Sequence, residues 1–238
     1  MKNIAVILAG GKGSRMGVDI PKQFILLPNG RTVLETCVAA FQFNERIDEI
    51  AVVMIKDYFK QAQTIIRSDN YPKVRYWIPG GKERWESSLN AIQALSNSSN
   101  LSNPSTPSSD SVVLIHDCAR PFISQDLITR ACDAMRTYQA ATVAVPVTDT
   151  LYEVQSSGEK EVVTSVPPRI LFRRAQTPQC FRLSVMKEAF RLAMQDADRQ
   201  FTDDAGVVHR YLPEVPIHII EGEESNRKIT FAGDVNPL

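Results

Sequence analysis

Short apolar runs alternate with amphipathic segments along most of the chain. The apolar runs are residues 4–8, 50–55, 74–78, 112–116 and 141–147. The segments with helical periodicity between them are 33–43, 58–66, 85–95 and 125–138. This alternation is typical of βαβ units, so it predicts an α/β fold with about five parallel strands in a twisted sheet and helices on both faces. Ligands of such sheets bind at the carboxyl ends of the strands.

Two segments interrupt the alternation. Residues 96–111 read SNSSNLSNPSTPSSDS and are rich in turn formers, which predicts a flexible surface loop. A domain linker is the alternative, but the βα series continues directly beyond it, which favours a single domain over residues 1–238. Residues 150–164 place two β-prone stretches around Ser156, Ser157 and Gly158, which predicts a projecting hairpin. An arm of this kind, at about 148–170, is suited to pairing with a second subunit.

Composition excludes several classes of protein. The chain has 27 Lys plus Arg and 27 Asp plus Glu among 238 residues, so it lacks the overall basic field that holds a nucleic acid. No apolar run approaches the roughly 18 residues of a membrane helix, and the first residues lack the pattern of a signal peptide. A cytoplasmic protein is therefore expected. Its four cysteines are widely spaced and contain no Cys-x-x-Cys pair, which favours reduced structural thiols over a zinc site.

A glycine-rich segment follows the first predicted strand. Residues 8–17 read LAGGKGSRMG, and residues 21–24 read PKQF. Glycines let backbone N–H groups approach phosphate oxygens, and Lys12, Arg15 and Lys22 bring positive charge to the same place. The segment therefore predicts a polyphosphate site. It lacks the Gly-Lys-Ser/Thr ending of a Walker A loop and the Gly-x-Gly-x-x-Gly of dinucleotide folds, and its glycines alone would also suit an ordinary βα turn.

The extended string LAGGKGSRMG…PKQF resembles the opening of the 2-C-methyl-D-erythritol 4-phosphate cytidylyltransferases and of the related ribitol 5-phosphate cytidylyltransferases. Further segments resemble the family's motifs in the same order: GGKER at 80–84, HDCARPF at 116–122, PVTDT at 146–150, QTPQ at 176–179, TDDA at 202–205 and NRKIT at 226–230. This chain has Cys118 where alanine is usual, and Arg227 where the family's Asn-Ile-Lys has isoleucine. The resemblance implies a single-domain, Rossmann-like nucleotidyltransferase fold, active as a homodimer.

The resemblance also implies a role for each matched residue. Nucleotide-binding residues would be Ala9, Gly10, Gly11, Gly13, Ser14, Gly81, Arg84 and Ser87. Catalytic cations would be Arg15, Lys22 and Lys228. Residues on the side of the second substrate would be Asp117, Arg120, Arg169, Thr177 and Thr202, with Arg169 reaching the neighbouring subunit's site and Asp117 also near a Mg²⁺ ion. The partners would be CTP and a sugar-alcohol phosphate.

Several of these residues have a simpler structural interpretation. Asp117 follows an apolar strand, where either a helix cap or a ligand-binding carboxylate fits, and the ligand is favoured. Thr177 and Thr202 suit turns or N-caps, Thr202 especially, because Asp203 and Asp204 would enrich a first helical turn. His116 is expected to be a packing residue or a residue that supports a site residue beside it, and the three histidines are too scattered to propose a metal site.

The expected reaction is attack by a phosphate oxygen of the sugar phosphate on the α-phosphorus of CTP, with pyrophosphate leaving. Because both reactants are anions, fixed cations would align them and neutralise their charge. TDDA and the stretch LFRRA at 171–175 favour methylerythritol phosphate as acceptor, whereas the opening LAGG is more typical of the ribitol enzymes. CDP-ribitol synthesis is therefore the alternative function. A nucleotide-binding module without turnover is disfavoured because all three catalytic cations are present.

Overall fold

The computed structural model describes residues 1–11, 20–97, 107–158 and 160–235. Gly13, Ser14, Arg15 and most of the predicted Ser-rich loop, residues 98–106, lie outside the described residues. The strands are β1 (Asn3–Leu8), β2 (Glu49–Met54), β3 (Val74–Pro79), β4 (Val112–Asp117), β5 (Ala140–Pro146), β6 (Glu153–Ser157), β7 (Lys160–Ser165), β8 (Arg173–Arg182) and β9 (Ile217–Glu221). The α-helices are α1 (Val33–Gln42), α2 (Phe59–Ile65), α3 (Arg84–Ser96), α4 (Gln125–Ala134), α5 (Leu183–Ala193) and α6 (Asp204–Tyr211).

The main sheet has seven strands in the order β3-β2-β1-β4-β8-β5-β9. The pairs β3/β2, β2/β1, β1/β4 and β5/β9 are parallel, whereas β8 runs antiparallel to both β4 and β5. The five predicted parallel strands are confirmed as β1 to β5. The pattern did not predict β8, β9, α5 or α6.

Side chains of alternate strand residues divide the core between the two faces of the sheet. Ala5 and Ile7 of β1 pack in a cluster with apolar residues of α1 and α4, while Ile4 and Val6 pack in another with residues of α3, α5 and α6. All six residues of β2 and of β4 are buried, as expected for parallel strands covered on both faces. The predicted helices on both faces are therefore confirmed.

Helix boundaries follow local capping. The Thr32 side chain accepts a hydrogen bond from the Glu35 N–H at the start of α1, and Ser124 accepts one from Leu127 at the start of α4. The predicted helix 125–138 is too long at its C-terminal end. Helix α4 ends at Ala134, and residues 135–138 form a turn that leads to β5.

The projecting hairpin is confirmed as β6 and β7, which pair with each other in a separate two-stranded antiparallel sheet. Gly158 at its tip has a φ of 65°, a left-handed conformation that glycine adopts at no steric cost. Apolar side chains of the hairpin and of the turn beyond it are exposed: Tyr152, Val154, Val162, Val163, Val166, Ile170, Leu171 and Phe172. At the other predicted irregular segment, α3 extends to Ser96, so the loop begins one residue later than predicted.

All four cysteines are buried free thiols, in agreement with the expected structural role. Among the described residues, no helix is both long and apolar enough to cross a bilayer.

Candidate active site

Several of the predicted site residues meet at the carboxyl ends of neighbouring strands. Leu8, the last residue of β1, pairs in register with Asp117, the last residue of β4. Backbone hydrogen bonds continue this alignment past the strands, from the Ala9 N–H to the Val53 carbonyl at 2.7 Å and from the Gly80 N–H to the Met54 carbonyl at 2.8 Å. The start of the glycine-rich segment, the 80–84 motif and Asp117 therefore lie together at the carboxyl ends of the strands, as predicted.

The two described glycines of the first motif have room around them. A Cβ atom built on Gly11 meets no described atom within 4 Å, and one built on Gly10 approaches the Ser87 hydroxyl at an ordinary 3.7 Å. Packing within the described protein does not require glycine at either position. Their predicted role, close approach of phosphate oxygens to the backbone, remains a prediction.

Gly81 has a different explanation. A Cβ atom on Gly81 would lie 2.2 Å from Cβ of Glu86, whose side chain forms a capping box with Glu83 at the start of α3. The Gly81 N–H also donates to the Ser87 hydroxyl at 3.0 Å. Gly81 is thus required by the fold of the motif itself, whether or not it contacts a nucleotide.

Asp117 lies between two cations. Nε of Arg84 is 3.0 Å from Oδ1, and Nζ of Lys228 is 2.7 Å from Oδ2. Burial alone would raise the pKa of Asp117, but Arg84 and Lys228 together hold that pKa well below its usual range. Asp117 is therefore a carboxylate, and both of its oxygens have a charged partner. No helix begins at Asp117, so the helix-cap alternative is wrong.

Arg84 has a second carboxylate partner that the motif comparison did not assign. Its Nη1 is 2.7 Å from Oδ2 of Asp204, the first residue of α6. The side chain of Asp204 is 0% exposed. Burial raises the pKa of Asp204, and the charge of Arg84 opposes that rise. Asp204, Arg84, Asp117 and Lys228 therefore form a chain of alternating charge from α6 to the segment after β9.

A chain of buried hydrogen bonds through Thr177 and His116 holds the backbone of Asp117 in place. The Asp117 N–H donates to the Thr177 hydroxyl oxygen at 3.1 Å, and that oxygen lies 3.1 Å from Nδ1 of His116. Nε2 of His116 lies 3.0 Å from the Arg120 carbonyl, which can only accept, so Nε2 carries the proton of a neutral imidazole. Nδ1 then accepts the Thr177 hydroxyl proton. The direction of each hydrogen bond in this chain is fixed.

Desolvation is the main reason why the pKa of His116 falls to about 4. The ring is completely buried and packs edge-on against Phe41, with centroids 5.0 Å apart. Both expectations for His116 are confirmed, because the ring packs in the core and also contacts the Thr177 hydroxyl that binds the Asp117 N–H. The geometry also bears on the predicted substrate-binding role of Thr177. Its hydroxyl proton is donated to Nδ1 of His116, so this hydroxyl has no proton left to donate to a substrate phosphate.

The segment containing Lys228 is attached to the 116–122 motif by several hydrogen bonds. The Ile229 N–H donates to the Ala119 carbonyl at 2.8 Å, and Lys22 Nζ donates to the Ile229 carbonyl at 2.8 Å. The Arg120 guanidinium donates to the Asn226 carbonyl at 2.8 Å. Lys22, Arg120 and Lys228, which are widely separated in the sequence, are therefore brought together.

Two predicted site residues lie apart from this cluster. Arg169 lies in the exposed turn after the hairpin, where its Nη1 donates to the Thr148 carbonyl at 2.5 Å, and none of its hydrogen bonds within the described residues reaches Asp117 or Lys228. Thr202 is exposed and lies two residues before the first residue of α6. The suggestion that Thr202 caps this helix is wrong, because the cap is Asp203, whose carboxylate accepts from the Gly206 N–H at 2.8 Å.

A bound metal would depend mainly on the substrates for its ligands. The described residues contain no group of three or more His, Cys, Asp or Glu side chains that could surround an ion. Asp117 fits as a single carboxylate ligand only if it shares its oxygens with Arg84 and Lys228. This donor set suits Mg²⁺, which commonly takes one or two carboxylates together with substrate phosphates and water.

The whole fold has a counterpart among solved structures. The crystal structure of 4-diphosphocytidyl-2C-methyl-D-erythritol synthase from Anaerococcus prevotii DSM 20548 matches with a TM-score of 0.80 and 26% identity, covering 98% of this chain and 92% of that one. Together with the cations clustered at the carboxyl ends of the strands, this likeness places the protein in the class of nucleotidyltransferases.

Sequence relatives identify the family. The family model described as 2-C-methyl-D-erythritol 4-phosphate cytidylyltransferase matches residues 3–237. A protein of that name from Thermobifida fusca (strain YX) is 42% identical over 233 residues, covering 97% of this chain and 89% of its own length. The chain therefore belongs to the 2-C-methyl-D-erythritol 4-phosphate cytidylyltransferase family.

A relative with a different name is also similar. The bifunctional ribulose 5-phosphate reductase/CDP-ribitol pyrophosphorylase Bcs1 of Haemophilus influenzae is 35% identical over 234 residues. The match covers 98% of this chain but 47% of that protein. The resemblance to ribitol enzymes seen in the motifs thus has a counterpart among the relatives, at lower identity.

Proposed function

We propose that the protein transfers the cytidylyl group of CTP to 2-C-methyl-D-erythritol 4-phosphate, giving CDP-methylerythritol and pyrophosphate. Family membership over residues 3–237 and the 42% identity to the Thermobifida fusca protein support this acceptor over ribitol phosphate. The structural observation that carries the proposal is the position of Asp117, held between Arg84 and Lys228 and paired in register with Leu8, where the glycine-rich segment begins. Such a group of cations is suited to two anionic substrates.

The reaction needs alignment and charge neutralisation more than proton transfer. A phosphate oxygen of the acceptor forms a bond to the α-phosphorus of CTP, and the bond from that phosphorus to the bridging oxygen of pyrophosphate breaks. The attacking phosphate oxygen already carries a lone pair, so no general base is required. Lys228 and Lys22, with Arg15, would stabilise the charge that develops on the α-phosphoryl oxygens and on the leaving group.

The nucleotide would lie along the edge formed by the first two motifs. Ala9, Gly10 and Gly11 follow β1 directly, and open space beside Gly11 leaves room for a phosphate oxygen to approach the backbone. Gly13 and Ser14 continue the same motif. Arg84 and Ser87, together with Gly81, would contact the cytidine. Mg²⁺ bound to the triphosphate would neutralise part of its charge.

The acceptor would bind on the Lys228 side of Asp117. Arg120 is fixed there by its bond to the Asn226 carbonyl, and Thr202 is exposed to solvent. We propose that Thr177 contributes by holding Asp117 in place, because its proton is bonded to His116.

A homodimer would complete the acceptor site. The exposed apolar side chains of the hairpin arm suit burial against a second copy, and Arg169 lies at the base of that arm, apart from the Asp117 cluster. We propose that Arg169 binds the acceptor phosphate in the neighbouring subunit's site. We also propose that the protein acts in the cytoplasm, as the sequence predicts.

The decisive experiment measures pyrophosphate release from CTP and Mg²⁺ with three parallel additions: methylerythritol 4-phosphate, ribitol 5-phosphate or no acceptor. Release with methylerythritol 4-phosphate alone is expected. Release with ribitol 5-phosphate alone would move the protein to CDP-ribitol synthesis, the alternative that the similarity to Bcs1 keeps open. Silence with both acceptors would contradict both assignments.

A further inference from the structure

Asp204 is a buried carboxylate that the proposed mechanism does not use. Its side chain is 0% exposed, and Oδ2 is 2.7 Å from Nη1 of Arg84. Removing a carboxylate completely from water is costly unless a charged partner compensates. Since its side chain is sealed from solvent, Asp204 is not placed to touch a substrate, and its ion pair with Arg84 is the contact that links it to the site.

The backbone at Asp204 is fixed from the central sheet. The amide oxygen of Gln179, on β8, accepts hydrogen bonds from the N–H groups of Asp204 at 2.9 Å and Ala205 at 3.1 Å. The amide nitrogen of Gln179 donates to Oδ2 of Asp203 at 2.8 Å and to the Thr142 hydroxyl at 3.2 Å. Gln179 is itself 1% exposed. The start of α6 is thus tied to β8 at the level of the active site.

Arg84 is held at two points along its planar guanidinium. Nη1 pairs with Asp204, and Nε pairs with Asp117 at 3.0 Å. A guanidinium presents its N–H groups in a fixed fork, so two carboxylates at different edges define its orientation. Without Asp204, Arg84 would be fixed at Nε alone, and its remaining N–H groups could turn toward solvent.

We propose that Asp204 is a positioning residue, which holds Arg84 in the orientation that binds the nucleotide and, through Arg84, holds Asp117. This inference rests on the proposed function for the identity of the nucleotide. It gives a role to the second acidic residue of the TDDA segment, whereas the first, Asp203, is the cap of α6.

The test compares CTP affinity in Asp204→Asn and Asp198→Asn, measured by calorimetric titration with CTP and Mg²⁺. Both variants lose one carboxylate charge, but Asp198 is exposed and none of the described ion pairs joins it to Arg84. Asp203 is unsuitable as the control, because its two carboxylate oxygens accept from Gly206 and Gln179, whereas an asparagine side chain has only one acceptor oxygen. We expect Asp204→Asn to weaken CTP binding about tenfold and Asp198→Asn to change it by less than about twofold.

A double-mutant cycle separates positioning from a general effect on the fold. If Asp204 acts through Arg84, adding Asp204→Asn to Arg84→Met should weaken CTP binding no further than Arg84→Met alone. Equal losses with and without Arg84 would overturn the proposal, as would wild-type affinity in Asp204→Asn. Because the titration needs no acceptor, an incorrect acceptor assignment would appear only in the turnover assay and leave this result intact.

Discussion

Lys228 donates to Oδ2 of Asp117 across 2.7 Å, although the two residues are 111 positions apart in the sequence. The contact joins the last matched motif to the carboxyl end of the central strand β4. Because Arg84 occupies Oδ1, the carboxylate fixes the positions of two cations at once. The pair of lysine and aspartate is therefore a structural element of the site as well as a source of charge.

Replacing Lys228 by Met should reduce kcat/KM for cytidylyl transfer by about a hundredfold, or about 3 kcal/mol of transition-state stabilisation. The physical reason is the loss of a fixed cation close to the reacting phosphates, while Arg84 still pairs with Asp117. Lys187→Met, on the exposed surface of α5, is the matched control and should have wild-type kinetics. A steady-state pyrophosphate assay measures both, and near-normal activity in Lys228→Met would remove this lysine from the mechanism.

Thr177→Val should destabilise the fold as well as the site. The change preserves shape but leaves the Asp117 N–H and Nδ1 of His116 without their buried partner, at a cost of about 1–3 kcal/mol for each group. Thr177→Ser keeps the hydroxyl and should lose much less. Urea unfolding of the two variants checks the difference. Equal stability of the Val and Ser variants would show that this hydroxyl is dispensable.

The contrast between β4 and β8 shows why the fold was only partly predictable. Every residue of β4 is buried, and its apolar run is visible in the sequence. In β8 the buried stretch contains Gln176, Thr177 and Gln179, whose polar groups are satisfied by partners from distant segments. Periodicity detects apolar burial, so it cannot recognise a strand whose interior positions are polar. The edge strand β9 is short, and Ile219 within it is exposed.

The candidate site was also predictable only in part. Residues such as Lys228 and Asp117 lie in motifs, and the carboxyl ends of parallel strands meet at one edge, so their proximity was predictable. The hydrogen-bond direction at Thr177 and the pairing of Asp204 with Arg84 depend on side-chain positions that only the assembled structure defines. Thr177 and Asp204 both lie within matched motifs, but nothing in the sequence distinguishes a residue that faces the substrate from one that supports a neighbouring side chain.

His116 should make stability dependent on pH. Its pKa is about 4 in the folded protein against a usual value of 6.5, so the unfolded chain binds more protons between these values. The contribution is complete above pH 6.5 and is lost progressively as the pH falls toward 4. Between about pH 7.5 and about pH 5, this histidine should remove about 2 kcal/mol from the free energy of unfolding.

The test replaces His116 by Gln, which cannot be charged. Denaturant unfolding of His116→Gln at the two pH values should show a smaller loss than the wild type by about that amount. His209→Gln, at an exposed position of α6, controls for removal of a histidine. The same pH dependence in His116→Gln and the wild type would contradict the assignment of the effect to this ring.

Substitution by alanine should lower the stability of the fold at Gly81 but not at Gly11. A Cβ at position 81 would lie 2.2 Å from Cβ of Glu86, so the capping box or the backbone must move. Overpacking of this kind destabilises a fold by about 1–3 kcal/mol, and thermal unfolding of Gly81→Ala should reveal it. At Gly11 the added methyl group meets no described atom within 4 Å, so Gly11→Ala should unfold like the wild type.

Nucleotide affinity is where Gly11→Ala should differ from the wild type. If phosphate oxygens approach the Gly11 backbone, the methyl group will occupy part of their space, and calorimetry should show CTP binding weakened about tenfold. Gly233→Ala is the matched control, because a Cβ there also meets no described atom within 4 Å and the residue lies outside the motifs. Gly11→Ala with unchanged CTP affinity would show that the backbone there is not close to phosphate. Its glycine would then reflect only the βα turn, which is the simpler explanation of this motif.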